Sequence, residues 1–435
     1  MKNIDIAKKH QDYMVEMRRY FHENPELSGQ ELKTIEKLSE ELTKMGIEHT
    51  VITNGGILAK IVGSKPGERA VLLRADVDGL PVLETADNLK PGMRTCISKN
   101  EGVMHACGHD GHMAMLLGAA KILLEKKDEI EGTVYLCFER GEEFAGNVEY
   151  IFPYIEKHNI KIDAVYATHL LATAPSGYLA INDGGMMAGA MGFSVTIEGA
   201  GGHGSRPDQA NSPIDCFVAI YQRLQSLRLT KIDPFKTCTY SVGMLSAGSQ
   251  RNVIPQTLTF GGTMRTFDRD GVGMTFREEF KKAVDGICAA YGCKVTYNLG
   301  TPGYGVVNDA DMAQWARKVI AEELGRENVG QWDPWMASES YNQYLQQWPG
   351  VFAFLGIQNE EKGVGAAHHN QEFDIDEDVL YKGAAASAAY AIEYLKDKSL
   401  KGGRKTTFKE YLERTNQIDE LRRHYREDGS IICDD

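Results

Sequence analysis

Residues that could bind a metal ion are concentrated in one short segment, residues 104–112, which reads MHACGHDGH. The thiol of Cys107 lies among the imidazoles of His105, His109 and His112. Thiolate and imidazole are ligands that zinc and related divalent ions prefer. The glycines predict a loop, and residues 113–126 have the apolar spacing of a helix, an arrangement typical of the mouth of an α/β sheet. A buried cysteine with histidines hydrogen-bonded to backbone carbonyls is the alternative.

Three predicted strands lead into further potential ligands. Residues 70–74 precede Asp76, residues 132–139 precede the pair Glu142-Glu143, and residues 162–169 end at His169. Adjacent carboxylates are costly unless a cation lies between them or one of them holds a proton. Because ligands of open α/β sheets bind at the carboxyl ends of strands, these side chains point to one rim. A solvated surface pair of glutamates is the alternative interpretation.

The elements that position these residues predict two domains, as the chain of 435 residues exceeds what one core usually supports. Residues 185–299 have the order β-α-β-β-α-β of a ferredoxin-like domain, inserted into an α/β domain made of residues 1–184 and 300–397. The inserted domain carries His203 between glycines, Asn252 and Arg265. His203 could equally be a mobile loop residue. Residues 398–435 form a charged C-terminal extension whose role the sequence does not reveal.

Composition excludes several classes of partner. The formal net charge is −13, which disfavours nucleic acid and anionic membrane surfaces. The sequence has no run of 18 apolar residues, its first residues do not lead into an apolar stretch of the signal-peptide kind, and its eight cysteines show no framework spacing. We therefore expect a cytoplasmic protein that acts on a small molecule.

Taken in order, several motifs resemble one family. They are residues 73–81, residues 104–112, Glu142-Glu143, His169, Gly202-His203, residues 252–255, residues 262–265 and His369-Asn370 with Phe373. Together they resemble the metal-dependent amidohydrolases of the aminoacylase and carboxypeptidase type. The branch is similar to that of hippurate hydrolase and the indole-acetyl-amino-acid hydrolases. The resemblance covers about residues 10–395. It implies a zinc-peptidase-like three-layer catalytic domain with an inserted ferredoxin-like α+β lid, through which two subunits dimerise.

The resemblance also implies a metal centre of two divalent ions. The implied ligands are Cys107, His109, Glu143, His169 and His369. His369 is preferred to His368 because its spacing from Phe373 reproduces that of the family. Zinc, manganese or cobalt would suit these ligands, and the thiolate favours zinc. Asp76 is expected to support the ligands rather than to bind metal.

The implied reaction is hydrolysis of an N-acyl amino acid or a similar small carboxylate-bearing amide. Two ions can hold a bridging water, and Glu142 would serve as general base and then as general acid. His203, contributed by the partner subunit in this family, would stabilise the oxyanion, while Asn252 and Arg265 would bind the substrate. A dipeptidase, an amine-releasing hydrolase and a non-catalytic metal-binding regulator are the alternatives.

The sequence departs from the family at two places. Relatives usually carry Gln-Pro-Ala before the two glutamates, whereas this chain has Glu139-Arg140-Gly141. They usually carry Glu-Asp-Phe where this chain has Glu339-Ser340-Tyr341. The departures leave the expected reaction in place but leave the substrate side chain undetermined.

Overall fold

A computed structural model describes residues 1–144 and 146–432. The chain divides into two compact units. The first unit comprises Met1–Met186, Val307–Asp333 and Ser340–Asp435, and the second comprises Met187–Val306 and Pro334–Glu339.

Helices and strands alternate along most of the chain. Up to the second unit they are α1 (Asn3–Lys9), α2 (Gln11–Glu23), α3 (Leu32–Lys44), β1 (Glu48–Ile52), β2 (Gly56–Val62), β3 (Lys65–Asp76), α4 (His109–Glu125), β4 (Glu131–Glu139), α5 (Val148–Lys157), β5 (Ala164–Pro175), β6 (Leu179–Ala180) and β7 (Gly185–Met187). Next come β8 (Gly189–Glu198), β9 (Gly202–His203), α6 (Pro213–Lys231), β10 (Cys238–Ala247), β11 (Val253–Ile254), β12 (Thr257–Thr266), α7 (Met274–Ala290) and β13 (Lys294–Leu299). The last are β14 (Val306–Val307), α8 (Ala310–Leu324), β15 (Val329–Gly330), α9 (Asn342–Gln347), β16 (Gly350–Gln358), α10 (Leu380–Lys396), α11 (Phe408–Thr415) and α12 (Ile418–His424).

The first unit is built on an eight-stranded mixed sheet with the order β1-β2-β4-β3-β5-β16-β6-β15. Its central strands β4, β3, β5 and β16 run parallel, so that their carboxyl ends meet at one edge. Asp76 pairs with Glu139 at that edge. The prediction that a strand ends at His169 is wrong, because β5 continues to Pro175 through apolar residues that pair with β16.

The second unit has a four-stranded antiparallel sheet with the order β10-β12-β8-β13. Its buried apolar residues come from these strands and from α6 and α7, and they include Val195, Ile220, Phe260 and Phe280. The chain order of these elements is β-α-β-β-α-β, as the apolar spacing predicted. The α/β fold class with a ferredoxin-like α+β unit is therefore confirmed.

The described part of the C-terminal extension folds onto the first unit. Helix α11 begins with a capping box formed by Thr407 and Glu410. Its first residue, Phe408, packs on Phe152 with ring centroids 5.0 Å apart, and its N–H donates to the Glu156 carboxylate at 2.8 Å. Among the described residues, every helix is too short or too polar to cross a membrane.

One buried guanidinium joins three segments of the first unit. Arg18 on α2 is fully buried and donates to Asp110 of α4 at 2.9 Å. It also donates to Asp374 at 2.9 Å and to Glu377 at 3.1 Å, in the segment that precedes α10. Removing one partner from such a buried ion pair typically costs about 3–5 kcal/mol. Arg18 therefore fixes the first turn of α4 relative to α2 and α10.

His22, one turn further along α2, lies between two acids of the same cluster. Its Nδ1 is 2.8 Å from Asp110 Oδ2, and its Nε2 is 2.8 Å from Glu84 Oε1. Because carboxylate oxygens accept hydrogen bonds, both ring nitrogens donate when the imidazole is protonated. Burial and the neighbouring Arg18 lower the pKa of His22, but the hydrogen bonds to Asp110 and Glu84 outweigh them, so the net shift of the pKa is upward.

We predict that His22 makes the free energy of unfolding depend on pH. A histidine whose pKa is raised in the folded state contributes stability that is complete below its unfolded pKa of 6.5. That contribution is lost as the pH rises through the higher folded value. His22→Gln should flatten the fall in unfolding free energy above pH ~6.5, measured by urea denaturation over a pH series.

His49→Gln is the matched control. The His49 ring contacts the Ser39 hydroxyl and the Ile47 carbonyl, and neither group carries a charge. This variant should keep the wild-type pH dependence. An unchanged profile in His22→Gln would contradict the assignment of a protonated imidazole.

Candidate metal centre and active site

The CGHDGH segment forms the start of α4. Gly108 has a φ of 93°, which favours glycine, and α4 begins at the next residue, His109. The prediction of a helix starting at residue 113 is thus wrong by one turn. Gly111 is also required, because a Cβ there would lie 2.6 Å from Leu170 Cδ1. His109 and His112 share one face of the first turn, with ring centroids 5.4 Å apart.

Backbone carbonyls fix the orientation of two predicted ligands. His109 Nδ1 lies 2.9 Å from the Asp78 carbonyl oxygen, and His169 Nδ1 lies 2.6 Å from the Leu170 carbonyl oxygen. Since a carbonyl only accepts, each Nδ1 carries a proton, and Nε2 is the nitrogen of each ring that can ligate a metal ion once it is deprotonated. His169 Nε2 then lies 3.7 Å from the Cys107 sulfur. Both imidazoles are oriented as metal ligands usually are, with the second nitrogen bonded to the protein.

Cys107, Glu143 and His369 form a group whose ligand atoms lie within 4.8 Å of one another. His369 Nε2 is 3.2 Å from Glu143 Oε1, and the His369 backbone N–H donates to the Ala106 carbonyl at 2.8 Å. His369 has a φ of 65°, a strained value for this residue type. Strain of this kind tends to occur at functional sites.

A second group contains His109 together with Glu142 and Glu143, again within 4.8 Å. Glu143 belongs to both groups, so one carboxylate could contact two ions. Its own backbone N–H donates to Asp78 Oδ2 at 2.9 Å. The structure therefore brings Cys107, His109 and His369 together around Glu143, while His169 approaches the group through Cys107, 3.7 Å away.

His112 was not among the predicted site residues, although it groups with Asp76, His109 and His169. Its Nε2 accepts the Leu170 backbone N–H at 2.8 Å, so its Nδ1 donates to Asp76 Oδ1 at 2.6 Å. With both nitrogens engaged, His112 positions Asp76 and β5. The motif itself contains His112, so the sequence marked this residue as a candidate. The sequence alone does not show whether such a histidine binds metal or holds another residue in place.

His368 is engaged elsewhere. Its Nε2 accepts the Ala172 backbone N–H at 3.1 Å, and its ring lies against Phe373 with centroids 4.9 Å apart. Burial and the neighbouring His369 lower the pKa of His368 to about 3. The histidine that faces Glu143 is His369.

The protonation of the group depends on a cation. Burial and the nearby Glu143 raise the pKa of Cys107 well above its usual value. Burial and His112 lower the pKa of His169 well below its usual value, which leaves a neutral imidazole. A thiol in this setting stays protonated until a cation replaces the proton.

Two buried atoms identify where an ion would fit. His109 Nε2 and Glu143 Oε1 lie 3.9 Å apart, and in the described part of the chain neither makes a well-aligned hydrogen bond, even though His369 Nε2 lies 3.2 Å from Glu143 Oε1. Buried polar atoms without partners are unfavourable, so these atoms are suited to ligate an ion. Thiolate, imidazole and carboxylate together suit zinc, manganese or cobalt.

Glu142 is positioned by Ser340. The backbone N–H of Ser340 donates to Glu142 Oε1 at 2.9 Å, and the Ser340 hydroxyl donates to Glu139 Oε1 at 2.5 Å. Arg74 donates to the Ser340 hydroxyl at 2.8 Å and to Glu139 Oε2 at 2.8 Å. Both departures from the resembled family thus meet in one buried network beside Glu142.

Arg140 is held by an acid from another segment. Its Nε donates to Glu31 Oε2 at 2.9 Å, and Glu31 Oε1 accepts the Gly141 backbone N–H at 2.8 Å. Glu31 therefore fixes the turn that leads into Glu142 and Glu143.

The remaining predicted residues belong to the second unit. His203 is exposed on β9, where it pairs with Val253 of β11, and its Nδ1 lies 2.8 Å from the Ser205 hydroxyl. Asn252 is adjacent, since its carbonyl accepts the Gly204 backbone N–H at 2.8 Å. Arg265 lies on β12 and is half-buried, which lowers its pKa. Within this unit, His203 and Asn252 come together on one two-stranded ribbon.

Known proteins share these features. The model of peptidase family M20/M25/M40 matches residues 72–393. Thermostable carboxypeptidase 2 of Saccharolobus solfataricus is 36% identical over 89% of this chain and 97% of its own. The IAA-amino acid hydrolase ILR1-like 2 of Arabidopsis thaliana is 36% identical over 92% of this chain and 90% of its own.

The fold is also found in solved structures. The crystal structure of the YxeP protein of Bacillus subtilis superposes with a TM-score of 0.75 at 27% sequence identity. The match covers 89% of this chain and 99% of that chain. YxeP is described as a dinuclear metal-binding peptidase. The resemblance inferred from the motifs is confirmed.

We predict that His369, and not His368, contributes to metal affinity. Replacing His369 with alanine removes the nitrogen that faces Glu143. Loss of a residue that merely hydrogen-bonds to a metal ligand typically lowers metal affinity by about 10-fold to 100-fold. Loss of His369 should therefore lower zinc affinity by at least that much. Competition with a chromophoric chelator measures the affinity.

His368→Gln is the comparison variant, because its amide oxygen can still accept the Ala172 N–H. It should keep near-wild-type affinity. A larger loss in His368→Gln than in His369→Ala would reverse the assignment of the two histidines.

Proposed function

Because the chain belongs to peptidase family M20/M25/M40, a family of metal-dependent hydrolases, we propose that it cleaves the amide bond of an N-acyl amino acid. The products are a carboxylic acid and a free amino acid. The observation that carries the proposal is the adjacent pair Glu142-Glu143. Glu143 lies with Cys107 and His369, while the neighbouring Glu142 is held by the Ser340 N–H beside the same group.

Cys107, His109, Glu143, His169 and His369 would hold two divalent ions, with zinc, manganese or cobalt compatible with this set. When bound, such ions polarise the amide carbonyl and lower the pKa of water. The residues of the chain supply the rest of the chemistry.

Glu142 is the proposed proton carrier. It takes a proton from the attacking water and delivers it to the amide nitrogen, which leaves poorly unless it is protonated. The Ser340 N–H holds one oxygen of Glu142 at 2.9 Å. Holding the carboxylate in one rotamer reduces the reorganisation needed at each transfer.

The second unit supplies the proposed substrate contacts. Asn252 and Arg265 would bind the carbonyl and the carboxylate of the substrate, for which a guanidinium is well shaped. His203 would donate to the oxyanion. We propose that His203 acts across a homodimer interface made by the second unit. Exposed apolar side chains on α6 and on the edge strand β10 support such an interface, among them Val218, Tyr221 and Leu245.

A dipeptidase activity is the second candidate. A dipeptide also joins an acyl group to an amino acid through an amide bond, and one relative is named a carboxypeptidase. A panel of acylated amino acids and dipeptides, assayed with added metal, distinguishes the two. A non-catalytic metal-binding regulator would need the ligands but not Glu142. We propose the cytoplasm as the compartment, since the described residues carry seven buried free thiols, which a reducing environment preserves.

The proposed function predicts that hydrolysis requires both metal and Glu142. Treatment with a chelator should abolish cleavage of N-acyl amino acids, and added divalent metal should restore it. Glu142→Gln should lower kcat by about 10²–10⁴-fold because proton transfer is lost. Steady-state kinetics and metal analysis check both outcomes.

Glu372→Gln is the matched control, as it removes a partly buried carboxylate from the loop that carries His369. It should retain the wild-type rate. Equal activity of wild type and Glu142→Gln would reject the mechanism, and activity that survives complete metal removal would reject the metal centre.

A further prediction concerns His203. His203→Ala should lower kcat by about 10²–10³-fold, as for loss of an oxyanion donor, with unchanged metal content. If His203 acts on the partner's substrate, mixing this variant with Glu142→Gln should restore roughly a quarter of the wild-type rate. Mixtures that stay as inactive as the separate variants would exclude action across the interface.

A further inference from the structure

A second cluster of metal-ligand side chains lies outside this site, where α12 contacts α5. Glu420 and His424 are four residues apart on α12 and therefore share one face. Glu149 comes from the first turn of α5. His424 Nε2 lies 4.0 Å from Glu149 Oε2 and 4.0 Å from Glu420 Oε2. Three potential ligands of a divalent cation, two carboxylates and one imidazole, thus converge from two helices.

The histidine of this cluster is buried and lacks a hydrogen bond at its inner nitrogen. His424 is only 2% exposed, and in the described part of the chain its Nε2 has no hydrogen-bond partner. The Tyr150 ring packs on it at 5.2 Å and restricts its movement. A buried imidazole nitrogen without a partner is unfavourable, and a cation at this point would remove that cost.

The negative charges of the Glu149 and Glu420 carboxylates must also be neutralised. Burial and the neighbouring Glu420 raise the pKa of Glu149 to about 9. Arg423 Nη1 lies 2.6 Å from Glu420 Oε2 but 3.9 Å from Glu149 Oε2, and its side chain is half exposed. The guanidinium therefore pairs mainly with one acid. Two neighbouring carboxylates are otherwise accommodated by a shared proton or by a cation.

We propose that Glu149, Glu420 and His424 bind one divalent transition-metal cation, of which zinc is the best fit. Zinc bonds of about 2.0–2.2 Å in a tetrahedral site place ligand atoms about 3.4 Å apart. The observed 4.0 Å separations would need to close by about half an ångström, which small rotations of the two glutamates provide. Neutral imidazole with carboxylates is an ordinary zinc ligand set.

The surroundings leave room for the remaining ligand. A cavity of about 140 Å³ adjoins the cluster, and His424, Arg423 and Tyr150 are among its lining residues. A water molecule in this space could complete the coordination. The bound ion would tie the C-terminal extension to α5, the helix that follows the segment of Glu142 and Glu143.

The test compares the number of zinc ions per chain in wild type and variants. The full-length protein is stripped with a chelator, dialysed against buffered zinc and analysed by mass spectrometry. His424→Ala and Glu420→Gln should each retain one zinc fewer per chain than wild type. Both should keep the wild-type rate of amide hydrolysis. Zinc should also raise the Tm of wild type by more than it raises that of Glu420→Gln.

Asp419→Asn is the matched control, because it removes an exposed negative charge next to Glu420 without removing a ligand. It should retain the wild-type zinc count. If His424→Ala fails to fold, Glu420→Gln decides, since it preserves the side-chain volume. Equal zinc counts in wild type and in the folded variants would overturn the proposal and leave a shared proton as the explanation. The experiment measures the difference in zinc content between wild type and each variant. Its outcome therefore does not depend on whether the proposed hydrolase reaction is correct.

Discussion

The buried ion pair network of Arg74 is the interaction on which the geometry of the candidate site depends. The Arg74 side chain is 2% exposed and contacts Asp76 at 2.7 Å and Glu139 at 2.8 Å. Two carboxylates at adjacent strand ends can be buried together only because this guanidinium lies between them. Asp76 in turn receives the His112 N–H. The ion pairs of Arg74 with Asp76 and Glu139 thus hold Asp76 in place, and Asp76 orients the first turn of α4 through His112.

A second guanidinium acts on the same helical turn. Arg18 binds Asp110, while Arg74 reaches His112 through Asp76. His109 belongs to the same turn, and its Nδ1 is held by the Asp78 carbonyl. His112 thus has a defined tautomer, and His109 a defined ring orientation, before any ion binds. Such pre-organisation favours tight ligation, because little conformational freedom remains to be lost on binding.

The parts that could be predicted from the sequence are those set by local patterns. Helical and alternating spacings gave the β-α-β-β-α-β order of the second unit, and the short Cys-Gly-His motif identified its own segment. Arg18 was missed because its partners Asp110 and Asp374 are 92 and 356 residues away. His112 was missed as a support because its role depends on the distant Asp76 and Leu170. Long-range hydrogen bonds leave no periodic signal in a single sequence.

The extent of β5 shows the same limit. Residues 170–174 are apolar or small, as would suit either a strand or a connection after His169. Pairing with β16 decides the matter, since Leu170 and Leu171 align with Leu355 and Gly356. The tertiary partner, and not the local propensity, extends the strand beyond the site. The start of α4 differs, because its signal was local: Gly108 could have been recognised as the residue preceding the helix.

The two departures from the resembled family are best understood as one exchange of charge. The resemblance implies glutamine and aspartate at the positions of Glu139 and Ser340, so the acidic side chain stands at the first position here instead of the second. Both positions contact Arg74, and the network keeps a single carboxylate between them. Since the Ser340 backbone N–H still holds Glu142, the exchange preserves the proposed proton carrier.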